Sequence, residues 1–97
     1  MGMIEVEQFT LRNGVEWDEF RLLDAALQSW VYTHRPRLLR RTTAFGDDGA
    51  VLVVSLHGGT DVPEPPDSDG PDAAPLAAFD HAVDPASYRR SIWQDLD

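Results

Sequence analysis

An amphipathic helix between strand-like segments restricts the folds open to this chain more than any other feature of its sequence. From Val15 the apolar side chains recur with the helical period. At about 100° per residue, six side chains fall within about 100° of one another: Phe20, Leu23, Leu27, Trp30, Val31 and His34. Pro36 disfavours helical geometry at the residue before it. The sequence therefore predicts one helix over residues 17–34 with a single buried face.

Strand patterns lie on both sides of this helix. Residues 3–11 mix β-branched, aromatic and polar side chains, and the turn signal "RNG" follows them. After the helix, residues 37–45 and 50–57 are separated by the turn "GDDG", which predicts an antiparallel hairpin. The continuous apolar run at 50–54 indicates a strand that is covered on both faces.

The composition changes after the hairpin. Residues 58–72 are acidic and rich in proline, and they are predicted to form a surface loop because they offer little apolar surface to bury. A short helix is expected at 72–84 and a last strand at 88–94. The order β-α-β-β-α-β predicts an α+β fold of the ferredoxin-like split βαβ type. In that fold two helices cover one face of a four-stranded antiparallel sheet.

The other face of this sheet also needs a cover, which two short helices cannot supply. A second copy of the sheet can, and a chain of 97 residues gains stability from such association. We therefore expect residues 1–97 to form one domain. Two copies are expected to associate through their sheet faces as a homodimer, a dimeric α+β barrel.

Composition excludes several classes of function. A net charge of −9 repels phosphate and anionic membranes, so neither nucleic acid nor membrane is expected as a partner. The chain has no cysteine, and His34, His57 and His81 lie 23 and 24 residues apart. We therefore expect no disulfide, no metal site and no cofactor. A signal peptide and a membrane span are not visible, and a cytoplasmic location is expected.

Taken together, these segments resemble the antibiotic biosynthesis monooxygenase-like family of dimeric α+β barrels. The resemblance rests on the order of the elements more than on any one motif, and it covers nearly all of the chain apart from 58–72. The matching stretches are "IEVEQFTL" with "NGV", "EFRLLDAALQSWVYTHRP", "LLRRTTAF", "GDDGAVLVVSLH" and "FDHAVDPASYRRSIWQDLD". The resemblance implies a homodimer, often with a pocket between each sheet and its helices. Some members of the family oxidise aromatic phenols without a cofactor, and others degrade heme.

The sequence departs from the family's pattern at positions that matter for its chemistry. Catalytic members tend to use an asparagine on the first strand, a tryptophan, and a histidine or tyrosine. Here the first strand carries Gln8 and Thr10, and Asn13 lies in the turn. His57 stands where a tryptophan commonly ends the third strand. The resemblance thus implies the fold and the dimer more directly than it implies oxygenase chemistry.

Four residues are candidates for a ligand-binding site. His57 precedes Gly58 at a strand end where this fold can open a pocket, and its ordinary pKa suits proton transfer at neutral pH. It is the best catalytic candidate, and a solvated strand-end histidine is the alternative. His34 lines a pocket or bonds a carbonyl at the helix end. Trp30 is expected either to form part of a pocket wall or to lie in the core. Trp93 is expected either to stack on a ligand or to contact the partner subunit.

Two consecutive arginines raise a further question. Arg40 and Arg41 alternate on the second predicted strand, so one of them faces inward and requires a partner. Glu5 and Glu7 on the first strand are the expected partners, and binding of an anion is the alternative. Asp24, at the edge of the helix stripe, is expected to be solvated or paired with an arginine.

Three functions fit these features. The first is a non-catalytic dimeric α+β barrel that binds a small aromatic or hydrophobic ligand. The second is a cofactor-independent monooxygenase with His57 as the proton-transfer group and Trp30 or Trp93 shaping the pocket. The third is heme binding or heme degradation through His34 or His57.

Overall fold

The computed structural model describes residues 2–59, 61, 63 and 72–96. Within these residues the chain forms two helices and four strands. In chain order they are β1 (Gly2–Thr10), α1 (Trp17–His34), β2 (Leu38–Phe45), β3 (Ala50–Gly58), α2 (Ala74–Ala82) and β4 (Arg89–Gln94). The predicted α+β, ferredoxin-like order is confirmed.

The strands form one antiparallel sheet in the order β2-β3-β1-β4. β1 is central: Glu5 lies opposite Ser55 of β3 on one side and opposite Ile92 of β4 on the other. The turn between β2 and β3 contains Gly49, whose φ of 82° is a conformation that favours glycine. Functional groups on the face of β1 toward the helices therefore meet groups from both neighbouring strands.

The first helix has the predicted bounds. Asp18 and Glu19 lie in its first turn, where negative charge interacts favourably with the helix dipole. At its other end the backbone N–H of Arg35 donates to the carbonyl of Val31. Pro36 follows at once, so the chain leaves the helix and turns toward β2.

The second helix is shorter than the predicted 72–84. Pro75 lies in its first turn, where a missing backbone N–H costs nothing. The helix ends at Ala82 because Val83 is extended and forms a β-bridge with Leu11. The strand pairing therefore overrides the continuing helical pattern of the sequence.

Both helices cover one face of the sheet, and the core lies between these layers. Phe9 of β1 packs edge-to-face on Phe20 of α1, with ring centroids 6.1 Å apart, and on Phe79 of α2 at 5.7 Å. The buried hydrophobic cluster consists of Phe9, Phe20, Leu27, Val31, Leu38, Val51, Val53, Ala73, Leu76, Phe79, Ala82 and Val83. β1, β3, α1 and α2 supply most of it.

The opposite face of the sheet also carries apolar side chains. Leu52, Val54 and Leu56 of β3 alternate with the buried residues of that strand and are partly exposed. They share a shallow apolar depression with side chains of β2. Trp93 of β4 is 61% exposed. We call this surface the outer sheet face, and it is the face through which dimerisation is predicted.

Two further predictions concern a membrane span and the acidic loop at 58–72. None of the helices in 2–59 and 72–96 is long and apolar enough to cross a membrane. Most of the predicted acidic surface loop at 58–72 lies outside the described residues. Within this range the structure describes Gly58, Gly59, Asp61, Pro63 and Asp72.

Phe9→Ala tests whether the interlayer core holds this fold together. Phe9 is 2% exposed and contacts aromatic rings of both helices. We expect the variant to lose about 3–5 kcal/mol in the free energy of unfolding, measured by urea denaturation. Phe45→Ala is the matched control, because Phe45 is 66% exposed. An equal loss in both variants would contradict the assignment of the core.

Candidate functional site

A cavity of about 440 Å³ lies between the sheet and the two helices. Fifteen residues from all six elements and their connections line it: Glu5, Glu7, Leu27, Val31, Arg35, Leu38, Arg41, Ser55, Leu76, Phe79, Asp80, Val83, Pro85, Tyr88 and Arg90. The wall divides into an apolar side, largely from the helices, and a polar side, largely from the sheet.

The helices form the apolar side because the spacing of their apolar residues places these side chains on the face toward the cavity. Leu27 and Val31 are four residues apart and project from one face of α1. Leu76 and Phe79 are three residues apart on α2 and face the same space. Val83, just beyond α2, continues this surface. The result is a hydrocarbon wall opposite the sheet.

Glu5 is the centre of the polar side. Its side chain is buried, and both carboxylate oxygens accept hydrogen bonds. The Nε of Arg90 donates to Oε2 at 2.7 Å, and the Nε2 of His57 lies 2.9 Å from Oε1. The Nη1 of Arg35 lies 3.4 Å from Oε1. One carboxylate thus joins β1, β3, β4 and the end of α1.

These contacts decide the protonation states of the cluster. Burial acts to raise the pKa of Glu5, but the hydrogen bonds from Arg90 and His57 and the charge of Arg35 outweigh it and lower the pKa. Burial lowers the pKa of His57, against the effect of Glu5, so the imidazole favours its neutral form. Glu5 is therefore a fixed anion of the structure.

Glu7 lies two residues further along the same face of β1, and its surroundings differ. The hydroxyl of Tyr88 donates to Glu7 Oε2 at 2.7 Å. Burial raises the pKa of Glu7, and the negative charge of Glu5 adds to this effect. Burial and the hydrogen bond to Glu7 also raise the pKa of Tyr88. Glu7 thus holds its proton to higher pH than an ordinary glutamate does.

Arg41 is the arginine that faces inward. A register shift between Leu38 and Arg40 sets the pairing of β2, and Arg41 is buried while Arg40 is exposed. The expected partners were wrong: the ion pair of Arg41 is with Asp24 of α1, whose Oδ1 lies 2.9 Å from Nη2. The guanidinium also lies over the ring of Phe79, 5.6 Å from its centroid.

Neighbouring groups on the sheet explain why Arg41 pairs with Asp24. Thr43, one position along the same face of β2, donates from its hydroxyl to Asp24 Oδ1 at 2.9 Å. Asp24 is therefore held over β2, and Glu5 is occupied by other cations. The alternative that Asp24 pairs with an arginine is confirmed.

The four predicted candidates lie apart from the wall of this cavity. His57 is buried behind it, with Nε2 on Glu5. Trp30 is partly buried, donates from Nε1 to the carbonyl of Asp72 at 2.6 Å, and stacks on His34 with ring centroids 4.4 Å apart. His34 is exposed, and its Nδ1 lies 2.9 Å from the carbonyl of Trp30. Trp93 lies on the outer sheet face. A ligand-binding role for these four residues stays a prediction.

The polar residues of the wall were not among the four candidates for a ligand-binding site, although Glu5, Glu7 and the arginine pair were singled out for an inward-facing ion pair. Strand alternation could have indicated two of them, because Glu5 and Glu7 share a face with Phe9, which any core model places inside. Tyr88 and Arg90 carry no local signal of this kind. They reach the cavity because β4 pairs with β1, a contact between residues more than 80 positions apart.

The described residues contain no group of three or more His, Asp or Glu side chains that could hold a metal ion. Glu5 of the wall is instead engaged with arginine and histidine, and Glu7 with tyrosine. The polar side of the cavity is therefore suited to hydrogen bonding and proton exchange through protein groups.

Comparison with known proteins gives likenesses in structure alone. No family model matches the chain, and no curated protein sequence matches it. A crystal structure of a variant of SnoaB, a cofactor-independent oxygenase from Streptomyces nogalater, is similar over 99% of this chain and 94% of its own, with a TM-score of 0.67 at 14% identity.

Two further solved structures are similar. A dimeric ferredoxin-like protein of unknown function from Thermobifida fusca covers 96% of this chain and 90% of its own, with a TM-score of 0.65 at 20% identity. Rv0793 from Mycobacterium tuberculosis covers 100% and 97%, with a TM-score of 0.58 at 12% identity. At these identities the likeness establishes the fold alone. The chain therefore has the ferredoxin-like fold of these structures, and its resemblance to antibiotic biosynthesis monooxygenase-like proteins is confirmed at that level.

Proposed function

We propose that this protein is a homodimeric α+β barrel that binds a small aromatic or hydrophobic ligand in the sheet–helix cavity of each subunit. The observation that carries the proposal is the cavity itself. Its volume of about 440 Å³ lies within the range of small-molecule sites, roughly 300–1,000 Å³. A core that served only stability would fill this space, because unfilled apolar volume costs stability.

The chemistry of the wall supports the ligand class. The apolar side offers hydrocarbon and one aromatic ring, that of Phe79, for contact with a flat hydrophobic molecule. The polar side offers a few directed groups, including Glu7, Tyr88 and Arg90. An apolar body with one polar end matches both sides, and the polar end fixes the orientation of the ligand.

Filling the cavity tests this proposal. Leu76→Phe adds a ring at a lining position that is 9% exposed, and Leu22→Phe makes the same change at a position that is 74% exposed. The probe is 2-naphthylmethanol, and its binding is followed by isothermal titration calorimetry. We expect wild type and Leu22→Phe to bind it equally, and Leu76→Phe to bind it at least about tenfold more weakly, which is about 1.4 kcal/mol.

Circular dichroism and thermal melting show that both variants are folded before binding is compared. Absence of binding to the wild-type protein, or equal binding to Leu76→Phe and wild type, would count against the cavity as the ligand site.

The outer sheet face supports the homodimer. It presents Leu52, Val54 and Leu56 together, and Trp93 stands exposed on the same face. A contiguous apolar surface of this kind on a small domain is typical of an interface. The similar structure from Thermobifida fusca is a dimeric protein.

Leu52→Glu tests the dimer. A carboxylate there would be buried without a partner if two sheets met face to face. We expect light scattering after gel filtration to give twice the chain mass of 10.8 kDa for wild type and the single mass for Leu52→Glu. Leu22→Glu on α1 is the matched control and should remain dimeric. A monomeric wild type, or a dimeric Leu52→Glu, would contradict the proposed interface.

A cofactor-independent monooxygenase is the second candidate. It is favoured by the likeness to SnoaB and by the hydrogen-bonded Glu7–Tyr88 pair at the cavity. The position of His57, held by Glu5 behind the wall, gives less support to the histidine-based mechanism. Oxidation of 1-naphthol to a naphthoquinone, with one O₂ consumed and one water formed, would be followed with an oxygen electrode. A rate equal to that of Leu76→Phe or of buffer would reject this candidate.

A further inference from the structure

Glu5 and Glu7 lie on the same face of β1 but have different surroundings. Glu5 lies within 4.0 Å of nitrogen atoms of Arg35, His57 and Arg90. Glu7 has no cationic nitrogen within that distance among the residues that the structure describes, and it accepts a hydrogen bond from Tyr88 instead. Pairs of acids whose surroundings differ in this way commonly divide their roles into a fixed charge and a proton-exchanging group.

We propose that Glu7 binds the carboxylate of an aromatic acid in the cavity by donating its own proton to it, so that binding of the anion takes up one proton from solvent. The inference rests on the proposed ligand-binding function and adds to it the chemical class of the ligand, an aromatic or hydrophobic carboxylate. Glu7 takes up this proton from the buffer and shares it with the ligand through a hydrogen bond. The only covalent bond formed is the O–H bond of Glu7.

The geometry leaves one oxygen of Glu7 for this contact. Tyr88 donates to Oε2, and no hydrogen bond from another described residue reaches Oε1. The Glu7 carboxyl group lies in the cavity wall beside Arg90, its partner across the β1–β4 pairing. With a proton on Oε1, Glu7 becomes a hydrogen-bond donor in the cavity wall, and Tyr88 is a positioning residue that fixes the carboxyl group.

The charges around Glu7 favour an anion over a cation. Three guanidinium groups line the cavity, from the end of α1, from β2 and from β4, and they would repel a protonated amine. The charged and titratable groups that face the same space are Glu5, Arg35, Arg41, Asp80, Tyr88 and Arg90. With Glu7 neutral, the attraction of the guanidinium groups for a carboxylate is no longer opposed by this nearest acid.

Burial raises the pKa of Glu7, which brings its protonation closer to neutral pH. The protonation of Glu7 determines how the affinity for an anionic ligand depends on pH. Above the pKa of Glu7 in the free protein, each bound anion requires one added proton, so affinity falls about tenfold per pH unit. A neutral ligand of the same shape requires no such proton, and its affinity stays constant.

The test compares 2-naphthoate with 2-naphthylmethanol, which have the same ring system and differ in the polar end. Calorimetric titrations run from about pH 5.5 to 8, where the probe's own carboxyl group, with a pKa near 4, stays ionised. At each pH, two buffers of different ionisation enthalpy give the number of protons taken up. For wild type we expect up to one proton per 2-naphthoate and none for 2-naphthylmethanol.

Three variants locate the proton. Glu7→Gln keeps the shape of the side chain and cannot titrate, so it should bind 2-naphthoate without proton uptake and without pH dependence. Glu19→Gln, on the exposed first turn of α1, should behave as wild type. Asp80→Asn removes the other acid of the wall whose pKa burial raises, and it should retain the uptake.

Each other outcome overturns the inference. Binding of 2-naphthylmethanol without binding of 2-naphthoate, binding of 2-naphthoate without proton uptake, or uptake that survives in Glu7→Gln and disappears in Asp80→Asn would reject the role of Glu7 while leaving the proposed function intact. Failure of wild type to bind either probe would reject the proposed function together with the inference.

Discussion

A carboxylate buried between the sheet and the first helix sets the architecture of this protein. Glu5 is removed from water on the central strand, and a buried charge is tolerated only where cations and hydrogen bonds surround it. Its partners come from separate parts of the chain: Arg35 after α1, His57 on β3 and Arg90 on β4. The register of three strands and the end of the helix are thereby tied to one point. Loss of this carboxylate would leave the partly buried guanidinium groups of Arg35 and Arg90 without this counter-ion.

The same cluster explains why the interior is filled at one end and open at the other. Around Phe9, rings and aliphatic side chains from both helices close the space. Around Glu5 and Glu7, the sheet presents charged groups, which hydrocarbon side chains could cover only by burying polar atoms without partners. The helices supply Leu27 and Leu76 at a distance across this region, and a cavity remains. The placement of acids on β1 therefore determines where the cavity lies.

The sequence predicted the elements far better than the site. Helical periodicity and Pro36 determined α1 to the residue, because local geometry decides both. The end of α2 was missed because Val83 pairs with Leu11, a contact that no local pattern reveals. The partner of Arg41 was predicted wrongly for the same reason. Alternation shows which face a side chain takes, but not that Arg41 pairs with a carboxylate on α1 rather than on β1, which β3 separates from β2.

We propose that the space between the sheet and the helices is a binding site. Amide chemical shifts of the ¹⁵N-labelled protein, followed as 2-naphthylmethanol is added, test it most directly. We expect saturable shifts concentrated at Leu27, Leu76 and Phe79, with Leu52 and Val54 on the outer sheet face unaffected. Shifts confined to the outer sheet face, or no shifts at all, would contradict it.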